Sequence, residues 1–178
     1  MEPGSTRHLL RLEVVTDSRR LVGVVQHMTA VRPVDLLNGT DEPLALTDIE
    51  VTPLEGQADA PHRWPQTHIR KQAIAFVIPH EAARPAAAID RRPLEYVEKR
   101  PWRVSVLLPR FMVTGCFHLA PAADPANAYL FWNAGFAPLT DAEAVYLPHP
   151  ATTWKAAVII VNTARAEAYC PPASLVDE

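Results

Sequence analysis

Two long stretches of this chain align with each other, and the internal repeat constrains the fold more than any other feature. Residues 12–38 match residues 104–130 without a gap, which places Gly23 on Gly115. Both stretches consist of apolar, β-branched runs separated by short polar tips. A repeat of this length indicates a duplicated structural unit.

Two further blocks extend the repeat in the same order. The tripeptide L-T-D occurs at 46–48 and again at 139–141, and the most apolar runs, 71–78 and 155–162, align as a third block. The sequence separation between matching residues is shorter for the third block, because the first copy has a longer polar insert at 55–70. Length changes confined to a proline-containing surface loop are typical of homologous domains.

The repeat predicts two homologous domains, at 1–82 and 101–178, joined by a proline-containing linker at 83–100. Each domain is too small to bury a large apolar face alone. We therefore expect the two domains to pack around a pseudo-two-fold axis.

Within each copy the pattern predicts strands and one short helix. Two apolar runs joined by a polar tip are typical of a β-hairpin. The central glycine of the second run predicts a bend that curls a small sheet towards a barrel. Proline followed by apolar residues and asparagine predicts a helix near 32–39 and near 124–135. The third run is expected in the centre of each sheet. The fold class is therefore mainly β, with two small β-barrel or curled-sheet repeats.

The hairpin and the L-T-D strand together resemble the Sm-like small β-barrels, at 12–28 with 44–51 and again at 104–119 with 138–145. That resemblance implies a small barrel and RNA binding through loops of a ring, but none of those loop positions can be matched here. The helical segments between strands two and three also depart from the Sm-like pattern. As a whole, the tandem pattern is similar to small bacterial domains of uncharacterised function, which implies no chemistry.

Composition narrows the class of protein. The chain has 48% hydrophobic and 21% charged residues, which predicts a packed core. Its formal net charge is −3, so it has no excess of basic residues of the kind that is typical of nucleic-acid-binding domains. No apolar run reaches the ~20 residues that span a bilayer, and the first residues have no signal-peptide pattern. We expect a cytoplasmic protein. Its two cysteines form neither a disulfide framework nor a zinc knuckle, and no cofactor motif occurs.

The L-T-D aspartates, Asp48 and Asp141, are the first candidates for chemistry. Each is followed two residues later by a glutamate, and two carboxylates on one strand face can share a proton or hold a divalent cation. The other reading is that Thr-Asp ends a strand through side-chain-to-backbone hydrogen bonds. The sequence favours this second reading, and neither a catalytic residue nor a metal site is predicted.

Two groups of residues are candidates for binding. Aromatic side chains suited to anchoring a protein partner, or to filling the interface between the copies, are Tyr129, Trp132, Phe136 and Trp102. Basic side chains suited to an anion or a nucleic acid are Arg91, Arg92, Lys99, Arg100 and Arg103. The leading hypothesis is a non-enzymatic protein-interaction, scaffold or regulatory module that binds a protein or itself, and the alternative is an anion or nucleic-acid binder using the 91–110 arm.

Overall fold

The structure is a computed structural model, which describes residues 8–27, 31–40, 43–56, 60–80, 99–124, 126–127 and 135–171. The chain divides into two compact units, Met1–Arg91 and Arg92–Glu178. Both are built mainly from antiparallel β-strands. The predicted mainly β class is therefore confirmed.

The first unit is a five-stranded antiparallel sheet in the order β5-β1-β2-β3-β4. Its elements are β1 (His8–Thr16), β2 (Arg19–His27), α1 (Pro33–Asn38), β3 (Leu44–Pro53), β4 (His62–Ile69), a 3-10 turn (Lys71–Ala73) and β5 (Ile74–Pro79). The predicted β1–β2 hairpin is confirmed. Its tight turn is closed by the Thr16 hydroxyl, which accepts the Arg19 N–H at 3.1 Å.

The second unit has its strands in the order β10-β6-β7-β8-β9. Its elements are β6 (Arg100–Leu108), β7 (Phe111–Leu119), β8 (Phe136–Tyr146), β9 (Thr153–Asn162), a 3-10 turn (Thr163–Arg165) and β10 (Ala168–Cys170). In both units the first three strands are adjacent, the fourth follows the third, and the last pairs with the first.

The helix α1 begins at Pro33, as predicted, because proline suits the first helical position. It ends next to a buried lysine: Lys71 Nζ donates to the carbonyl oxygens of Gly39 at 2.7 Å and Leu36 at 3.3 Å. A cation at a helix C-terminus satisfies carbonyls that lack a helical partner. The predicted second helix lies mostly outside the described residues.

The third block of the repeat was aligned wrongly. The run at 71–78 forms the 3-10 turn and most of β5, which pairs with β1, whereas 155–162 lies in β9, which pairs with β8. The two runs therefore occupy different places in their sheets. The prediction of a loop at 55–70 is also wrong for its second half, because residues 62–69 form β4. By strand order the counterpart of β9 is β4.

Candidate functional site

A β-bulge interrupts the pairing of β2 with β3 in the first unit. The register shifts by one residue at Gly23, so that Asp48 and Ile49 together lie opposite this glycine. Asp48 has a φ of 50°, in the left-handed region. A Cβ on Gly23 would lie 3.1 Å from Ile49 Cγ1 and 3.1 Å from the Thr47 carbonyl oxygen. A glycine therefore suits the close approach of β3, since an added Cβ would need its neighbours to move by a few tenths of an ångström.

The second unit has the same bulge between β7 and β8. The register shifts at Gly115, Asp141 lies opposite it, and the φ of Asp141 is 47°. Here a Cβ on the glycine would lie only 2.9 Å from the Cβ atoms of Leu139 and Ala142. Asp48 and Asp141 are the two non-glycine residues with positive φ in the described parts of the chain.

The threonine of each L-T-D motif bonds across the bulge. Thr47 Oγ1 donates to the Val24 carbonyl at 3.2 Å, and Thr140 Oγ1 donates to the Cys116 carbonyl at 3.5 Å. The motif thus lies within β3 and β8, and the expectation that its aspartate ends a strand is wrong. The threonine holds the neighbouring strand while the aspartate takes the left-handed position.

An open groove of about 560 Å³ runs beside the first bulge, and we call it groove 1. Its walls carry two basic and two acidic side chains, from Arg11, Arg63, Asp48 and Glu50. Trp64 and Pro65 complete the lining contributed by β4. Trp64 pairs with Ile49 and Arg63 pairs with Glu50, so the side chains of Trp64 and Arg63 lie on opposite faces of the sheet. Trp64 is 47% exposed, an unusually large exposure for so large an apolar residue.

A groove of about 410 Å³, groove 2, lies beside the second bulge. It has the same balance of charges, with Arg103 and Lys155 basic and Asp141 and Glu143 acidic. Trp64 and Pro65 are replaced there by two alanines, since the matching part of β9 reads Ala156-Ala157. The grooves therefore share a framework and a charge pattern but differ in apolar surface.

Opposite charges alternate across the sheet of the first unit, in a row that we call the charge ladder. Glu13, with 4% of its side chain exposed, accepts from Arg20 Nε at 2.6 Å and lies 2.9 Å from His80 Nε2. Hydrogen bonding to Glu13 is the largest cause of the raised pKa of Arg20, and the charge of Glu50 raises that pKa further. Glu50 in turn lies 4.0 Å from Arg63, at the wall of groove 1.

The second unit keeps one step of this ladder. Glu143 and Lys155 lie 3.5 Å apart, as the counterparts of Glu50 and Arg63. At the place of Glu13 stands Ser105, which is hydrogen bonded to the Thr114 hydroxyl at 2.8 Å, and at the place of Arg20 stands Met112, 40% exposed. The row of charges is thus particular to the first unit within the described residues.

The aromatic residues predicted to bind a partner are dispersed. Tyr129 and Trp132 lie outside the described residues. Phe136 begins β8 and is 8% exposed, so its ring belongs to the core of the second unit. Trp102 is half-buried in β6, and its buried indole nitrogen has no hydrogen-bond acceptor among the described residues.

The predicted basic arm is only partly described, since Arg91 and Arg92 lie outside the described residues. Lys99 and Arg100 are exposed at the start of β6. Arg103 is exposed as well, but it faces groove 2 together with two carboxylates. The described residues therefore do not form a single basic patch.

Sequence reasoning missed Trp64 and groove 1. The stretch His62-Arg63-Trp64-Pro65 lies in the insert that the sequence predicts as a loop, because its polar residues and proline hide the strand pattern. The available signal was a tryptophan beside a proline in a run without acidic residues.

The described residues contain neither a candidate metal site nor a candidate membrane span. No group of three or more His, Cys, Asp or Glu side chains is close enough to hold a metal ion. No helix there has the length and apolar character needed to cross a membrane.

Comparison of the chain with protein-family models, with curated proteins and with solved structures found no match.

Proposed function

We propose that the protein is a non-enzymatic protein-interaction module whose contact surface consists of groove 1 and the adjoining strand β4. The observation that carries this proposal is the difference between the two grooves. Their frameworks and charges match, but groove 1 has Trp64 at 47% exposed where groove 2 has an alanine. Exposed tryptophans within a polar rim are typical anchors of protein interfaces.

The charges of the grooves favour a protein partner over a polyanion. A nucleic acid requires several cations that face the same strand of phosphates. Arg11 and Arg63 share groove 1 with two carboxylates, and Arg103 shares groove 2 with two more. Mixed charge beside an exposed apolar side chain is typical of a protein interface, where charges select the partner and apolar contacts supply affinity.

We propose in addition that the two units are copies of one small, curled-sheet domain, similar to the Sm-like barrels. The same strand order, the same glycine-facing bulge and the same left-handed aspartate support this proposal. A bulge increases the local twist of a sheet and bends it, which is the first step towards a barrel. Closure into a barrel and a pseudo-two-fold relation stay predictions.

Selection of binding peptides on the full-length chain tests the proposed function. Random dodecapeptides displayed on phage are selected on the immobilised protein, and enriched peptides are synthesised with a fluorescent label. Their affinity is then measured by fluorescence anisotropy. We expect Trp64→Ala to weaken binding at least about tenfold, because truncating an aromatic anchor typically costs about 2 kcal/mol or more.

Met112→Ala is the matched control, since Met112 is 40% exposed on the second unit. This variant should bind within about twofold of the wild type, as expected for an exposed side chain outside the contact. The proposal is overturned if no peptide is enriched, or if the two variants lose affinity equally.

A further inference from the structure

Strand β4 is the last strand of its sheet, and its outer edge has no strand partner among the described residues. It pairs with β3 from Leu44↔Ile69 to Val51↔His62. Most of its side chains are exposed. An unpaired edge presents N–H and C=O groups that a further extended segment can bond.

The charges along this edge are of one sign. The described stretch 60–80 contains arginine, lysine and histidine but no aspartate or glutamate. Arg63 has 83% of its side chain exposed, and its contact with Glu50 is long, at 4.0 Å. This guanidinium is therefore open to a carboxylate from outside the sheet, and bidentate pairing with a carboxylate is the arrangement that arginine favours.

The same edge is poorly suited to pairing with the β4 strand of a second copy. Pro65 lies in the middle of β4 and has no N–H to donate. Two antiparallel copies of this strand would each lack that donor and would bring two basic rows together. Proline and like charges on an edge are devices against self-association.

We infer that β4 accepts an extended acidic segment of a partner protein by strand addition, with carboxylates on Arg63 and an apolar side chain against Trp64. This inference rests on the proposed function and names the chemistry of its partner. Main-chain hydrogen bonds along β4 supply affinity that is independent of sequence, and the basic edge selects acidic segments.

The probes are two acetylated, fluorescein-labelled octapeptides, one alternating valine with glutamate and the other alternating valine with lysine. Binding to the full-length protein is followed by fluorescence anisotropy at about 50 mM salt, where charge complementarity is weakly screened. We expect the acidic peptide to bind at least about tenfold more tightly than the basic one. Arg63→Glu should reverse this preference. Lys155→Glu, the matching change in the second unit, should leave it unchanged.

A second variant tests strand addition itself. Thr67 lies two residues beyond Pro65, so its N–H points to the same side of the strand as the proline nitrogen. Proline within an edge strand is found where its nitrogen faces away from the neighbouring strand, so we infer that this side is the outer edge of β4. Thr67→Pro should therefore leave the melting temperature within about 3 °C of wild type while weakening the acidic peptide at least about tenfold.

The outcomes separate the two proposals. If Trp64→Ala weakens the phage-selected peptides but Arg63→Glu and Thr67→Pro change nothing, strand addition of an acidic segment is wrong and the interaction surface stands. If the basic peptide binds as well as the acidic one, the charge argument is wrong. A concentration-dependent doubling of mass in sedimentation that Thr67→Pro abolishes would instead assign the edge to a second copy.

Discussion

At the scale of single residues, the most informative positions are Asp48 and Asp141, whose backbones adopt left-handed conformations in the middle of strands. Aspartate tolerates this region better than most residues, and β-branched side chains tolerate it poorly. The repetition of the L-T-D motif is therefore explained by a backbone requirement. The carboxylates are retained where a bulge needs a residue with positive φ.

Substitution of Asp48 should follow this backbone requirement. Asp48→Gly should leave the free energy of unfolding unchanged within about 0.5 kcal/mol, whereas Asp48→Val should lower it by about 1–2 kcal/mol. Urea unfolding followed by tryptophan fluorescence measures both. A valine variant as stable as the glycine variant would contradict a conformational role.

The buried Glu13 makes the first unit sensitive to the loss of its partners. Arg20→Met should lower the free energy of unfolding by about 3 kcal/mol, because it leaves a buried carboxylate without its guanidinium. The double variant Glu13→Ser with Arg20→Met copies the residues of the second unit, Ser105 and Met112, and should cost less than the single one. Equal or larger destabilisation of the double variant in urea unfolding would contradict this account.

At the scale of elements, the bulges place a strand backbone against a glycine in each unit. The approach is closer in the second unit, where an added Cβ would lie 2.9 Å from two side-chain carbons, than in the first, where the nearest atoms are at 3.1 Å. The carbons at Gly115 belong to Leu139 and Ala142, whose Cβ atoms cannot move without the backbone of β8. Gly23 should therefore tolerate an added Cβ better than Gly115 does.

Alanine at either glycine should destabilise the protein by overpacking. Gly115→Ala should lower the free energy of unfolding by about 2–3 kcal/mol and Gly23→Ala by about 1–2 kcal/mol, since Ile49 Cγ1 has some freedom to move. Both are measured by urea unfolding. The reverse order would show that the spacing at the bulge does not set the cost.

The short strand β10 carries a tyrosine whose ionisation depends on folding. Burial raises the pKa of Tyr169 above its ordinary value of 10.0, and the charge of Asp124 adds to this effect. Unfolding releases the phenol to ionise near its ordinary pKa. Stability should therefore fall as the pH rises above 10, until the raised pKa is passed.

Tyr169→Phe removes this titration. The melting temperatures of wild type and variant should change in parallel up to about pH 9. Between about pH 10 and 11 the melting temperature of the wild type should fall more than that of the variant. Parallel curves over the whole range would show that Tyr169 does not contribute.

At the scale of the whole molecule, the two units share strand order, bulges and groove charges but differ in surface. The first unit has the charge ladder, Trp64 and the exposed β4, and the second has alanines in its groove. Under the proposed function one unit binds and the other keeps the framework without the anchor. A tryptophan at the matching place should then create a second site.

Ala156→Trp tests this relation. With a peptide selected on the wild type, isothermal titration calorimetry should show the stoichiometry rise from about one to about two peptides per chain, with the second site weaker. Leu147→Trp, which adds a tryptophan at an exposed position away from the groove 2 lining, should keep a stoichiometry of about one. An unchanged stoichiometry for Ala156→Trp would mean that the shared framework does not define the site.

The sequence predicted the hairpins, the first helix and the repeated glycine and aspartate positions. Each depends on local chemistry: β-branched runs, a proline at a helix start, a glycine at a close approach. The strand β4 was not readable, because a strand at the end of a sheet with most side chains in solvent lacks the apolar alternation that identifies strands. The third block was misaligned for a related reason. The hydrophobicity of a strand indicates how deeply the strand is buried. It does not indicate the position of the strand within the sheet.

The amino-acid sequence by itself therefore determined the mainly β class and the matched positions of the two central glycines, since strand-forming runs and glycine positions are local properties of the chain. The bulges opposite these glycines, with Asp48 and Asp141 inside β3 and β8 and not at strand ends, follow from strand pairing. Tertiary structure alone decided that Asp48, Glu50, Arg11 and Arg63 share a groove with Trp64. These residues come from three strands, and their proximity depends on strand order and register, which long-range pairing determines. The candidate site thus arises from the assembly of the sheet.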